Sequence, residues 1–197
     1  MKRSILIFLV FSFLIITGKA EIIVDFDDAS TFNKIEMYDS WENSPFRTGQ
    51  LNGNWELVKN PVVMTDTVSN VVLGSQRSRH ASNLFGVKID LAAPFELSPQ
   101  IQYIRLKLLR PTDGRVELIG LGSRKERLGQ NPFTEQFCQE SINSVPSGEW
   151  AEAVFPVNGA DGVVIRSLVI IPDCESPHNL KKDFLFYVDD IELGPSL

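Results

Sequence analysis

The chain has 197 residues, of which 43% are hydrophobic and 22% are charged, with 11 prolines and 13 glycines. These values exclude a disordered, a collagen-like and a disulfide-dense chain, and the length fits one domain that can bury a substantial core. The net charge of −6 at pH 7 argues against a nucleic-acid-binding protein, because such a protein normally carries the opposite sign.

The first segment has the pattern of a secretory signal. Lys2 and Arg3 precede an apolar run at 5–16, and Gly18 and Ala20 supply small residues at the −3 and −1 positions. We therefore predict cleavage after Ala20, a secreted or periplasmic location, and no membrane insertion of the mature chain; the alternative is an uncleaved signal anchor. Without Lys2, Arg3 and Lys19, 16 basic residues remain against 25 acidic ones, so the mature chain carries a charge of about −9.

Residues 21–197 show almost no helical periodicity and are predicted to form a single β-sandwich domain. Runs that alternate apolar and polar residues, or that are rich in β-branched residues, are separated by Pro, Gly, Asn, Asp and Ser. A short helical turn is expected at 29–34 and a tight hairpin turn at 111–114. The runs predict nine strands, at 21–26, 54–59, 71–73, 84–90, 102–110, 115–121, 149–155, 164–170 and 183–193.

Many short strands with regularly spaced turns favour an all-β fold, an antiparallel two-sheet β-sandwich of the jelly-roll type. A closed barrel is the alternative. In the run at 102–110, Ile104, Leu106 and Leu108 alternate with polar and aromatic residues. This alternation predicts an antiparallel sheet with one buried face and one face in contact with water.

The only two cysteines, Cys138 and Cys174, lie in polar segments rich in turn residues. In an oxidising compartment such a pair predicts a disulfide bridge, and two free thiols are the alternative. A metal site is not expected, because neither cysteine has a second Cys or His at the spacing of a ligand pair.

The last third of the chain carries a distinctive order of motifs. Gly-Glu-Trp at 148–150 is followed by an apolar strand at 166–173 and by Tyr-Val-Asp-Asp-Ile-Glu-Leu at 187–193. This order resembles carbohydrate-binding modules, which are jelly rolls of the galactose-binding-domain type. The resemblance implies that fold and non-catalytic binding of a polysaccharide or oligosaccharide. Upstream segments fit the same pattern at 23–28, 55–61 and 85–91.

The resemblance also implies a structural Ca²⁺ between the first and last strands, which are neighbours in such modules. Oxygen ligands in a group of three or more suit this ion. The candidate ligands are Asp25, Asp27, Asp189 and Asp190. The alternative is that these aspartates cap strand ends and face solvent. No other cofactor is expected.

Aromatic side chains near polar ones give the candidate glycan site. A sugar ring presents an apolar face that stacks on Trp or Tyr, while Asp, Asn and Glu bind its hydroxyl groups. The alternative is that Trp41 and Trp55 belong to the core. The candidate residues are Tyr38, Asp39, Trp41, Glu42, Asn43 and Trp55.

Catalysis has little support in the sequence. The chain has no Gly-x-Ser-x-Gly, His-Glu-x-x-His or phosphate-loop motif. The basic cluster of Arg77, Arg79 and His80 is expected in a solvated loop. Two alternative functions stay open: a protein-interaction or structural module whose partner is another exported protein, and, with less support, a polysaccharide lyase or glycoside hydrolase.

Overall fold

The computed structural model describes residues 20–40, 55–62, 70–99, 101, 103–125, 134–157, 162–176 and 180–194. These ranges contain eleven β-strands and one three-residue 3-10 turn at Ala29–Thr31. No helix in them has the length and hydropathy of a membrane span. The strands are β1 (Glu21–Val24), β2 (Phe32–Asp39), β3 (Trp55–Lys59), β4 (Val71–Arg77), β5 (Phe85–Glu96), β6 (Tyr103–Leu109), β7 (Glu117–Arg124), β8 (Thr134–Glu140), β9 (Trp150–Pro156), β10 (Val163–Ile171) and β11 (Phe184–Gly194).

The strands form two antiparallel sheets. One sheet has five strands in the order β2-β5-β10-β7-β8. The other has six, in the order β3-β4-β11-β6-β9, with β1 pairing alongside β11. Among the described strands, each sheet ends in strands that pair on one side only, so the closed-barrel alternative is excluded and the predicted two-sheet sandwich is confirmed.

The core lies between the sheets and follows the alternation of the strands. In β6, Ile104, Leu106 and Leu108 are buried, while Tyr103, Arg105 and Lys107 are only half-buried on the opposite face. Successive side chains of a strand point to opposite faces, so one strand contributes to the core and to the outer surface of its sheet. The predicted buried and wet faces of this run are therefore confirmed.

All nine predicted strand segments coincide with a strand, but two edge strands of the five-stranded sheet were not predicted. The segment at 29–34 forms a 3-10 turn only to Thr31 and then enters β2. The sequence of β8 is Thr-Glu-Gln-Phe-Cys-Gln-Glu, which is too polar to resemble a strand by composition. Each edge strand is held by pairing with a single neighbour, β5 for β2 and β7 for β8, and this long-range pairing leaves no local signal.

The hairpin predicted at 111–114 is wrong. β6 pairs with β9 and β11, whereas β7 pairs with β8 and β10, so the segment between them crosses from one sheet to the other. Tertiary contacts hold this crossing. Asp113 accepts a hydrogen bond from the Ser147 amide at 2.9 Å, and Gly114 lies against the carboxylate of Asp173. Turn residues occur at such a crossing for the same conformational reasons as in a hairpin.

Candidate functional site

The outer face of the five-stranded sheet carries a row of charged and polar side chains. Ile35 and Ile89 point into the core, so the neighbouring Glu36 and Lys88 point outward. Strand register places Glu36 opposite Lys88 in the β2–β5 pair. In the adjacent row, Lys34 lies opposite Asp90 and Asp90 lies opposite Ser167. We call Lys34, Glu36, Lys88, Asp90 and Ser167 the polar row.

Ion pairs and hydrogen bonds connect all members of the polar row. The ammonium of Lys88 lies 2.7 Å from Glu36 Oε1 and 3.2 Å from Asp90 Oδ1. Ser167 Oγ donates to Asp90 Oδ1 at 2.7 Å, and Lys34 forms an ion pair with Glu36. The polar side chains are therefore held in fixed positions; Ser167 is buried, and the other four are at least partly exposed.

The contacts within the polar row stabilise the charged forms of Glu36 and Lys88. Hydrogen bonds from Lys34 and Lys88 lower the pKa of Glu36 below its ordinary value. Burial acts to lower the pKa of Lys88, but the hydrogen bonds and charges of Glu36 and Asp90 outweigh burial and raise it. Around neutral pH the row therefore contains the ionised carboxylate of Glu36 and the ammonium group of Lys88, which are strong hydrogen-bonding partners for hydroxyl groups.

Tyr38 provides an aromatic side chain beside the polar row. It is half-buried, lies on the same outward face of β2 as Glu36, and stands opposite Gly86 of β5. Its ring packs against a small apolar cluster formed by Ile119, Val169, Ile171 and Cys174. The members of this cluster are themselves buried, so this face offers one partly exposed aromatic ring beside an ordered set of polar groups.

The three described residues of the predicted glycan site do not form one cluster. Tyr38 points outward, whereas its neighbour Asp39 is 4% exposed and points inward. Trp55 belongs to β3 in the other sheet and packs partly against the core. The predicted residues Trp41, Glu42 and Asn43 lie outside the described residues. Of the predicted site, the structure therefore places only Tyr38 on the outer face of the five-stranded sheet.

Sequence reasoning missed the polar row because β2 was not predicted as a strand. A signal was present: Lys34, Glu36 and Tyr38 alternate with Ile35 and Met37. This alternation predicts a half-buried strand. The partners on β5 and β10 could not be found in this way, because their position depends on the register between strands far apart in the sequence.

In the structure Cys138 and Cys174 are free thiols, which is the alternative to the predicted disulfide. The thiol of Cys138 donates to Glu117 Oε1 at 2.7 Å, and Cys174 is buried in the apolar cluster beside Tyr38. Burial, with the Glu117 hydrogen bond, raises the pKa of Cys138. Burial likewise raises the pKa of Cys174 to about 12. Both sulfur atoms are thus accommodated as protonated thiols.

The aspartates predicted to bind calcium are engaged in other contacts. The first and last strands are neighbours, as expected, with β1 paired to β11. However, both carboxylate oxygens of Asp27 accept backbone amides, from Asn70 at 2.9 Å and Val71 at 3.0 Å. Asp190 binds the ammonium of Lys107 at 2.5 Å. In the described ranges no three Asp, Glu, His or Cys side chains gather as a metal site, so this donor set does not fit the predicted Ca²⁺.

No family model and no curated protein sequence matches the chain. Solved structures do match, among them the CBM22-1–GH10 modules of endo-1,4-β-D-xylanase 10B from Clostridium thermocellum complexed with xylohexaose. That pair shares 13% identity with a TM-score of 0.48, over 91% of this chain and 28% of the xylanase chain, so this chain spans little more than a quarter of that protein.

Two further similar structures are separate carbohydrate-binding modules. The family 11 module of the cellulosomal cellulase Lic26A-Cel5E from Clostridium thermocellum shares 9% identity, with a TM-score of 0.45 over 91% of this chain and 96% of the module. A family 29 module complexed with cellulohexaose shares 10% identity, with a TM-score of 0.45 over 92% of this chain and 94% of the module. All three structures contain a module of the class that the sequence resembles. The fold assignment itself rests on the strand pairing described above.

Proposed function

We propose that the protein binds a glycan non-covalently across the outer face of its five-stranded sheet. One observation carries the proposal: the polar row is fixed by its own ion pairs and lies beside the half-buried ring of Tyr38. A sugar offers hydroxyl groups around its rim and an apolar ring face. The polar row can bind the hydroxyl groups while Tyr38 contacts the ring face.

The electrostatics of this face favour binding without hydrolysis. A glycosidase needs two carboxyl groups, one of which is a general acid with a raised pKa. In the polar row the pKa of Glu36 is lowered by Lys34 and Lys88, so it is poorly suited to donate a proton at neutral pH. Asp90 is held by Lys88 and Ser167. We therefore infer a binding module and not an enzyme.

The proposal is tested by calorimetric titration of the purified protein with xylohexaose, cellohexaose and mannohexaose. Replacing Tyr38 with Ala should weaken the binding of the preferred sugar by about tenfold or more, since the stacked ring is lost. Tyr103→Ala is the matched control, because Tyr103 lies in β6 of the other sheet and its loss should leave the affinity unchanged.

A second variant separates the loss of binding from the loss of folding. Glu36→Gln removes one charge of the polar row and leaves the side-chain shape, so it should weaken sugar binding with little change in melting temperature. Full affinity in both Tyr38→Ala and Glu36→Gln would show that this face is not the binding site. If no neutral or acidic glycan binds and the mass in solution rises with concentration, a protein-interaction module is the better description. EDTA added to the same titration tests the Ca²⁺ prediction.

We also propose that the protein is exported through its N-terminal segment. The first strand begins at Glu21, directly after the predicted cleavage site, so removal of residues 1–20 leaves every described strand complete. Expression of the full chain in a Gram-negative host should yield a periplasmic product whose N-terminal residue is Glu21. A product that keeps residues 1–20 and stays with the membrane fraction would contradict this proposal.

A further inference from the structure

An open groove crosses the outer face of the six-stranded sheet, on the opposite side of the molecule from the polar row. Its volume is about 490 Å³, which falls within the range of small-molecule sites, roughly 300 to 1,000 Å³. Strands β3, β4 and β11 form its floor. Strand register places Glu56 opposite Gly74, and Gly74 opposite Tyr187. We call this feature the outer groove.

Gly74 shapes the floor of the outer groove. A Cβ atom at this position would lie 3.2 Å from Val58 Cγ2 and 3.3 Å from Tyr187 Cε1. Both distances are shorter than ordinary packing contacts. The Tyr187 ring and the Val58 methyl group therefore occupy the space above Gly74 that a side chain would need. The floor of the groove is therefore shallow, and the half-buried ring of Tyr187 lies along it. Leu185, which is 56% exposed, extends the apolar surface in the next row.

The polar groups of the groove balance in charge. Glu56 and Lys59 line it with one negative and one positive charge, and both are exposed. The amide of Gln76 also lines it and is oriented by a hydrogen bond of 3.1 Å to Asp183 Oδ2. An anionic or cationic ligand would find no excess of opposite charge here. A neutral ligand with one apolar face and several hydroxyl groups matches the ring, the exposed leucine and the polar groups.

We propose that the outer groove is a second binding site, for a neutral oligosaccharide. The proposal rests on the proposed function, since it assigns the same class of ligand to the opposite face. The two sheets share one core, so the groove and the polar row face in opposite directions. A single extended glycan cannot contact both faces without passing around an edge of the sandwich. One protein molecule therefore holds two separate glycan chains.

The first test is the stoichiometry of binding. Titration of the purified protein with xylohexaose, cellohexaose or mannohexaose should give two sugars per chain for the best ligand. Tyr187→Ala and Tyr38→Ala should each reduce this to one, and the double variant should bind none. Tyr187→Phe is the matched control, because it keeps the ring and should hold the groove affinity within about threefold.

A measurement on the unaltered protein gives a result that does not depend on whether a variant folds. In amide NMR spectra, addition of the same hexasaccharide should shift the signals of Glu56, Gly74 and Tyr187 with a saturable dependence on concentration. The same shifts should persist in Tyr38→Ala. A soluble polysaccharide built of the same sugar should become more viscous with the unaltered protein, and either single variant should abolish this increase.

The outcomes separate the two proposals. One sugar per chain, with shifts confined to the five-stranded sheet, overturns the second site and leaves the proposed function standing. Shifts confined to Glu56, Gly74 and Tyr187 support the groove and overturn the location given for the proposed function. The absence of binding to every sugar overturns both.

Discussion

At the scale of single residues, the two cysteines show how burial decides chemistry that composition cannot. A pair of cysteines predicts a bridge in an oxidising compartment, yet Cys138 and Cys174 are free thiols that pack in the same apolar cluster. One thiol donates to a carboxylate and the other lies among Ile119, Val169 and Ile171. A thiolate would be disfavoured in both places, since burial penalises the charged form.

These surroundings predict slow thiol chemistry and lower stability in alkali. Unfolded thiols lose their protons near a pKa of about 8.5, whereas burial raises the pKa of Cys174 to about 12 in the folded state. Above roughly pH 8.5 the unfolded state therefore binds fewer protons than the folded state, and the free energy of unfolding falls as pH rises toward 12. Melting temperatures measured between pH 8 and pH 10 should decline, and Cys174→Ala should decline less steeply.

Alkylation without reductant provides the independent measurement. At pH 8 the folded protein should react slowly with iodoacetamide, and after unfolding two thiols should react. If no thiol reacts in the unfolded protein, the cysteines are bridged and the free-thiol assignment is wrong.

At the scale of elements, the central strand β10 of the five-stranded sheet depends on glycines in both neighbours. A Cβ at Gly86 of β5 would lie 1.9 Å from the carbonyl oxygen of Ile170, and a Cβ at Gly122 of β7 would lie 2.0 Å from that of Val164. These partners are backbone atoms, which cannot rotate away. The close approach of β5 and β7 to β10 therefore requires glycine at both positions.

Gly86→Ala should consequently lower the free energy of unfolding by about 2 to 3 kcal/mol, the cost of an overpacked interior site. Urea denaturation gives this value, and hydrogen exchange should show weaker protection of the β10 amides. Gly148→Ala is the control: nothing lies within 4 Å of the added atom, and only its φ of +81° opposes alanine, so a loss of about 1 kcal/mol is expected. Equal stability of Gly86→Ala and the unaltered protein would contradict the close-approach argument.

At the scale of the whole molecule, Arg77 joins the two sheets at one end of the sandwich. It lies in β4 of the six-stranded sheet and is 0% exposed, contrary to the solvated loop expected for it. Its guanidinium donates to the carbonyl oxygens of Ser78 at 2.6 Å, Ser82 at 2.8 Å and Asp173 at 3.3 Å. It also lies 5.6 Å from the ring centre of Phe85 in β5. Burial lowers the pKa of Arg77 to about 10, opposed by the charge of Asp173, so the group stays charged at neutral pH.

Removal of the Arg77 side chain should lower the free energy of unfolding. Arg77→Ala leaves buried carbonyl groups without their donor, and the free energy of unfolding should fall by about 3 kcal/mol. Arg79→Ala, at an exposed neighbouring position, should change it by about 0.5 kcal/mol or less. Urea denaturation of both variants makes the comparison. Similar values for the two variants would show that Arg77 does not join the sheets energetically.

The class of fold and the location of most strands follow from the sequence alone. Alternation in a run such as Ile104, Leu106 and Leu108 is a local property, because successive side chains of a strand point to opposite faces. The same rule separates Tyr38 from Asp39, although it could be applied only once β2 was known to be a strand.

The pairing of neighbouring strands, and the candidate sites that it forms, can be seen only in the folded protein. The polar row combines side chains of β2, β5 and β10, and the outer groove combines β3, β4 and β11. Such pairings join residues far apart in the sequence, and their register depends on how both sheets pack around one core. For the same reason the segment at 111–114 crosses between sheets, and Arg77 is buried where a loop was expected.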